Sequence, residues 1–304
     1  MSLQWGNDGG HRVTPALIDV TVPNAARAFD FLYGGCDNFE ADRKAAAVLV
    51  ESAPSIAAAP GAARAFRRRV VRYLAADAGI RQFLEVGDGM VPAANTHEVA
   101  QTVDATSRVV YVESDPMMVD RMRAKLASTP GGLVACVEGD VADVGGIVSA
   151  AGLSAPGLPA AHASGAAAPV AGLADGRQPD VGAILDPARP IAVLLPSTLA
   201  HVPSAADAAK VVAELMDSAP CGSYLVIHHL ASDLDPALGG ALKRWNAVAA
   251  VPIVLRSWAE LAALVTGLDL VAPGLVPVDS WRPDPADPPA ARQAPIYGLV
   301  ARKH

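Results

Sequence analysis

The sequence predicts an α/β fold built on a doubly wound, mostly parallel sheet. Three observations carry this reading. Apolar, β-branched runs recur and end in small or acidic residues, as buried parallel strands do. Helix-compatible segments lie between them, which implies right-handed βαβ units. After Trp258 the pattern changes to two apolar runs joined by a proline-rich connector, Pro273 to Pro295, which suggests an antiparallel hairpin without a long helix.

In chain order, Met1 to Thr14 is polar and lacks the basic and apolar regions of a signal peptide. Residues 15–80 read as helical. Their basic stripe (Arg64, Arg67, Arg68, Arg69, Arg72) reads as a solvated helix face. The first strand is expected at Gln82–Val86 and the next helix at Pro92–Val103. A strand at Val109–Val112, a helix at Pro116–Ala127 and a strand at Leu133–Val137 follow. Residues 145–180, rich in Ala, Gly and Pro, read as a flexible insertion, because this composition offers little to bury. Beyond it come a strand at Ile191–Leu195, a helix at Ala205–Met216 and a strand at Ser223–His228 after the turn Pro220-Cys221-Gly222. Leu268–Ala272 and Ile296–Ala301 make the terminal hairpin.

Composition narrows the function. Lys and Arg number 24 against 31 Asp and Glu, a net charge of -7, whereas proteins that neutralise phosphates usually carry a basic face. Nucleic acid is therefore disfavoured as a partner. The longest charge-free stretch, Val144 to Ala174, is broken by Gly, Pro, Ser and His162, so it does not supply the roughly 20 continuous apolar residues of a membrane span. The cysteines Cys36, Cys136 and Cys221 lie far apart with no C-x-x-C or Cys/His cluster, and neither a metal nor a disulfide framework is expected. A cytoplasmic globular protein is expected, with a homodimer left open.

The chemistry sits at the strand ends. The first strand runs into Glu85-Val86-Gly87-Asp88-Gly89, where glycines let the backbone approach a ligand closely. Pro92 stands where a dinucleotide fingerprint has its third glycine, which disfavours a nicotinamide-dependent oxidoreductase. The second strand ends in Glu113-Ser114-Asp115-Pro116, placing an acid to accept hydrogen bonds from ribose hydroxyls. The third ends in Glu138-Gly139-Asp140, where Asp140 can accept from an adenine amine. Each acid alone is better read as a helix cap. A glycine turn, an acid and an acid on successive strands together point to adenosine.

In this order the motifs resemble class I S-adenosylmethionine-dependent methyltransferases, and more closely the bacterial S-adenosyl methyltransferase family long carried as a domain of unknown function. The carrying residues are Pro23 to Leu32 (PNAARAFDFL), Gly34 to Arg43 (GGCDNFEADR), Gly79 to Leu84, Asn95 to Ala100, Val109 to Pro116, Gly222 to Val226 and Pro273 to Pro277. The resemblance implies a seven-stranded Rossmann-like sheet, a helical N-terminal cap over 1–80, and a cofactor-binding domain over 81–304 containing the insertion. It implies S-adenosyl-L-methionine as cofactor and an unidentified, small-molecule methyl acceptor. By motif, Gly87 and Gly89 line the methionine part of the cofactor, with Glu85 and Asp88 binding it from the same loop, Glu113 and Ser114 face the ribose, and Asp140 and Val141 face the adenine. Asp30, Gly34, Gly35 and Asn38 would close over the site.

Acceptor-side bases are expected from His201 after the fourth strand and from His229, with His228 beside it, at the end of the fifth. Trp245, Trp258 and Trp281 read either as core or as walls of an acceptor pocket. The chain departs from the family in Asp88 for a threonine, in Glu113 for an aspartate, in Cys36 for a lysine, and in a histidine displaced by one residue, His201. These departures keep a second reading open: a methyltransferase fold that no longer turns over and serves as a binding or scaffold protein.

Overall fold

The computed structural model describes residues 19–87, 94–153, 184–285, 287 and 292–304. The strands are β1 (Gln82–Val86), β2 (Arg108–Glu113), β3 (Leu133–Glu138), β4 (Ala192–Pro196), β5 (Tyr224–Leu230), β6 (Asp269–Leu270), β7 (Val276–Pro277) and β8 (Ile296–Arg302). They form one sheet in the order β3-β2-β1-β4-β5-β8-β6, with β7 also paired to β8. The pairs from β3 across to β5 are parallel, and β8 runs antiparallel to β5, β6 and β7. The expected architecture is present. The proline-rich connector supplies one extra short strand, β7, so the described sheet has eight strands. Strand order reverses between β1 and β4, and in open α/β sheets ligands bind at that switch point, at the carboxyl ends of the strands.

The helices are α1 (Ala25–Leu32), α2 (Glu40–Ser52), α3 (Ala59–Ala76), α4 (Thr96–Val103), α5 (Pro116–Lys125), α6 (Val144–Ala150), α7 (Ala205–Ser218), α8 (Pro236–Asn246) and α9 (Trp258–Ala263). Their starts are written in the sequence. Asp115 accepts from Met117 N at 2.9 Å ahead of Pro116, which needs no donor at that position. Asn24, Ser204 and Ser257 cap α1, α7 and α9 in the same way.

Alternation along each strand divides the core. Phe83, Val109, Tyr111 and Val226 face a layer made by α3, α4, α5 and α8, while Leu84, Val86, Val110 and Ile227 face α6, α7 and α9. Phe66 and Val70 place α3 inside the first layer, where it covers the sheet directly. Each fully buried side chain of this size contributes about 1.5–3 kcal/mol. The expected insertion is helical at its beginning, since α6 buries Ile147 against the sheet, and residues 154–180 of it lie outside the described residues. Among the described residues, no single helix is long and apolar enough to cross a membrane.

The arginine stripe departs from expectation. Arg67 and Arg69 are buried: Arg69 donates to Trp281 O at 2.9 Å and to Val278 O at 2.6 Å, and pairs with Asp287. Arg68 pairs with Asp287 as well, and Arg72 with Asp284 at 3.0 Å. The stripe fastens α3 to the segment before β8 and offers no continuous basic rim. Trp245 and Trp281 are core residues, and the half-exposed Trp258 donates to Leu275 O at 3.0 Å.

Candidate active site

A cavity of about 220 Å³ opens at the switch point, over the carboxyl ends of β1 to β5. Gly87 leaves β1 with φ +81, a left-handed backbone that glycine adopts at no steric cost, and its N–H donates to Val112 O at 2.8 Å. A Cβ at Gly87 would lie 3.1 Å from the Thr198 hydroxyl, so the turn also packs closely against the start of the β4 loop. Asp88 and Gly89 lie outside the described residues.

At the tip of β2 the Glu113 carboxylate accepts from Ser114 N at 2.9 Å and Asp115 N at 3.1 Å. These two bonds fix it at the cavity wall, and Ser114 lies beside it. At the tip of β3, Asp140 folds back to accept from Ala142 N at 2.8 Å, and Asp140 and Val141 both line the cavity. Gly87, Glu113, Ser114, Asp140 and Val141 are thus brought together from three successive strand ends.

Glu85 is not part of this wall. It is fully buried on the α3 side of β1, 3.0 Å from Arg67 Nη1 and hydrogen-bonded by the Thr96 hydroxyl. It acts as a structural ion pair beneath the site. The cap residues are also placed differently from expectation. Asp30 accepts from Asp37 N at 2.7 Å and Asn38 Nδ2 at 2.8 Å, and Asn38 Nδ2 also reaches Gly35 O at 3.1 Å. A Cβ on Gly35 would meet Asp30 Oδ1 at 2.0 Å, and Gly34 has φ +79. Asp30, Gly34, Gly35 and Asn38 therefore build the α1–α2 turn, away from the cavity. It is α1 itself that covers the opening, through Asn24, Ala25 and Phe29.

The β4–β5 half of the cavity is mostly apolar, with Phe29, Ala200, Leu230, Val251 and Ile253. His201 lines it, with Nδ1 3.3 Å from Pro252 O, and burial holds its pKa below the usual histidine value. His229 does not line it. Its Nδ1 donates to Leu230 O at 2.8 Å and its Nε2 accepts from Arg256 Nη1 at 2.8 Å, so both ring nitrogens are engaged in a fully buried site. Burial there pushes its pKa down to about 4. The ring holds Arg256, whose guanidinium in turn donates to Leu199 O at 2.6 Å and Val202 O at 2.5 Å and so shapes the β4 loop. Sequence reasoning missed Asn24, Phe29, Ser197, Val251 and Ile253, which reach the cavity through tertiary placement alone.

The sequence profile of the S-adenosyl methyltransferase family matches residues 11–155 and 173–304. A DUF574 family protein from Streptomyces avermitilis MA-4680 is 34% identical, with a TM-score of 0.80 over 94% of this chain and 99% of that one. A protein of known structure from Thermobifida fusca YX is 31% identical, with a TM-score of 0.76 over 94% of this chain and 96% of that one. No curated protein matches the sequence. Family profile, sequence identity and shared architecture agree, and this chain belongs to the S-adenosyl methyltransferase family.

Proposed function

We propose that the chain transfers a methyl group from S-adenosyl-L-methionine to a small-molecule acceptor held over the ends of β4 and β5. The observation that carries this reading is the succession of a left-handed glycine turn and two acids at the tips of β1, β2 and β3, all facing one cavity. The donor set fits the cofactor. Glu113, with one oxygen occupied by two backbone N–H groups, presents a fixed carboxylate suited to ribose hydroxyls. Asp140 offers acceptor oxygens for an exocyclic amine, Val141 an apolar face for a ring, and the Gly87 turn room for a close backbone approach.

When bound, S-adenosyl-L-methionine supplies an electrophilic methyl group. The chain's own residues then position the acceptor and receive its proton. His201 is the histidine placed for that second task, since it lines the cavity and burial, which lowers its pKa, keeps its ring in the neutral form. Phe29 and Ile253 would exclude water from the displacement. Of the expected 1–80 cap, α3 packs directly on the sheet, and residues 19–52, with α1 over the opening, would act as the cap.

The test is incubation with S-adenosyl-L-methionine and a library of small hydroxyl- and amine-bearing compounds, followed by mass spectrometry for methylated product. Product formation lowered at least tenfold by Glu113→Ala supports the reading. Tight cofactor binding with no product from any compound would favour the binding or scaffold role instead.

A further inference from the structure

Ser197 stands at the tip of β4 with φ 55 and ψ 0, a left-handed conformation that a non-glycine residue adopts only where its surroundings enforce it. Its N–H donates to His228 O at 3.0 Å and its Oγ lies 3.2 Å from His228 Nδ1. His228 is buried behind it, edge-on to the Phe66 ring at 6.2 Å, and its Nε2 has no hydrogen-bond partner among the described residues. Burial, with Arg67 nearby, pushes its pKa down to about 3, so the ring is neutral and serves as a fixed hydrogen-bonding post rather than a standing base. Ser197 lines the cavity between the Gly87 turn on β1 and Leu230 on β5.

Resting on the methyltransferase reading above, we propose that Ser197 is the polar anchor for the methyl acceptor, with His228 as its positioning residue, and that the acceptor is an uncharged molecule with an apolar body and one hydroxyl or amine. The geometry supplies each part. With the Ser197 hydroxyl donating to His228 Nδ1, the serine oxygen keeps lone pairs to accept the acceptor's O–H or N–H and hold the nucleophile in place until His201, which lines the same cavity, receives that proton. The surrounding Phe29, Ala200, Leu230, Val251 and Ile253 carry no charge, so a charged group set among them would be desolvated against an apolar wall. The left-handed backbone turns the chain at the end of β4, where Ser197 lines the cavity.

The test replaces the hydroxyl with a thiol that can itself accept the methyl group. In Ser197→Cys, the introduced sulfur forms the new bond to the methyl carbon and the methyl–sulfonium bond breaks. Its electron pair stays on the sulfur of S-adenosyl-L-homocysteine, and the thiol proton leaves to water. The expected result is a gain of about 14 Da, one CH₂ increment, on the peptide that carries position 197. Peptide mass spectrometry reads it, with the exposed Cys36 and Cys221 unmodified as internal controls. Without cofactor, methyl methanethiosulfonate should label the introduced thiol at least tenfold faster than the buried Cys136. Adding His228→Phe should slow methylation at position 197 at least tenfold with S-adenosyl-L-homocysteine affinity unchanged, and His228→Asn should restore most of the rate. Cofactor binding by titration with the introduced thiol left unmethylated overturns the anchor and leaves the family reading intact. Absence of cofactor binding in the unsubstituted protein overturns both.

Discussion

Replacing Glu85 by glutamine separates a structural acid from a cofactor-binding one. Both members of the Arg67–Glu85 pair are sealed from solvent, with side-chain exposures of 3% and 0% at a separation of 3.0 Å. At that distance, and with an effective dielectric of about 20, their attraction is roughly 5 kcal/mol, set against a desolvation cost of similar size. The intact pair thus contributes little net stability, but losing one partner leaves the other charge buried. Glu85→Gln is expected to destabilise the fold by about 3 to 5 kcal/mol, a fall in Tm of roughly 10 °C for a chain of this size. The assay is calorimetry of the free protein beside titration with S-adenosyl-L-homocysteine at a temperature where the variant is folded. The double variant Arg67→Met with Glu85→Gln should recover at least half of the loss, because the charge is then gone. An unchanged Tm with cofactor affinity lost more than tenfold would return Glu85 to the binding site and refute this reasoning.

Further outcomes follow from the same geometry. His228 and His229, pushed down to about 3 and about 4 from 6.5, bind protons in the unfolded chain before the folded one. Their contribution is therefore complete above pH 6.5 and lost as pH falls toward 4, at about 1.4 kcal/mol per pH unit for each ring. Denaturant titrations from pH 7 to 4 should show this fall; a slope of half the size would mean that one ring is exposed, and a flat profile that both are. Gly87→Ala forces a side chain into φ +81 and within 3.1 Å of Thr198, so cofactor affinity should fall at least tenfold and stability by about 1–2 kcal/mol, read by titration and melting. Asp37 ties the α1–α2 turn to α5 through Arg121 and through Lys125 at 3.3 Å. Asp37→Asn should therefore speed cofactor release about threefold in stopped-flow, an effect that 1 M salt removes because these charges are partly exposed.

The strands were legible because buried parallel strands are written as short, continuous apolar runs, and β1 lies where expected at Gln82–Val86. Glu113 and Asp140 were legible for a related reason: an acid that ends such a run stands at the sheet's carboxyl edge, where ligands bind. Glu85 and His229 were misread because each lies within a strand rather than at its tip. Alternation sends Glu85 toward α3 and His229 toward Arg256, and neither partner is visible in the local sequence. The double glycine at 34 and 35 signalled a tight turn correctly, yet the cavity is lined by the helix before it, through Phe29. Ser197 gave no signal, since a serine after a proline at a strand end is read as an ordinary turn, and its left-handed backbone is set by His228 on the neighbouring strand.

The most direct measurement is isothermal titration of the protein with S-adenosyl-L-methionine and S-adenosyl-L-homocysteine, repeated for Glu113→Ala and Asp140→Ala. Micromolar binding of both ligands, weakened at least tenfold by each substitution while the melting temperature stays within about 3 °C, is the result this account predicts. Binding that survives both substitutions, or no binding by a folded protein, would contradict it.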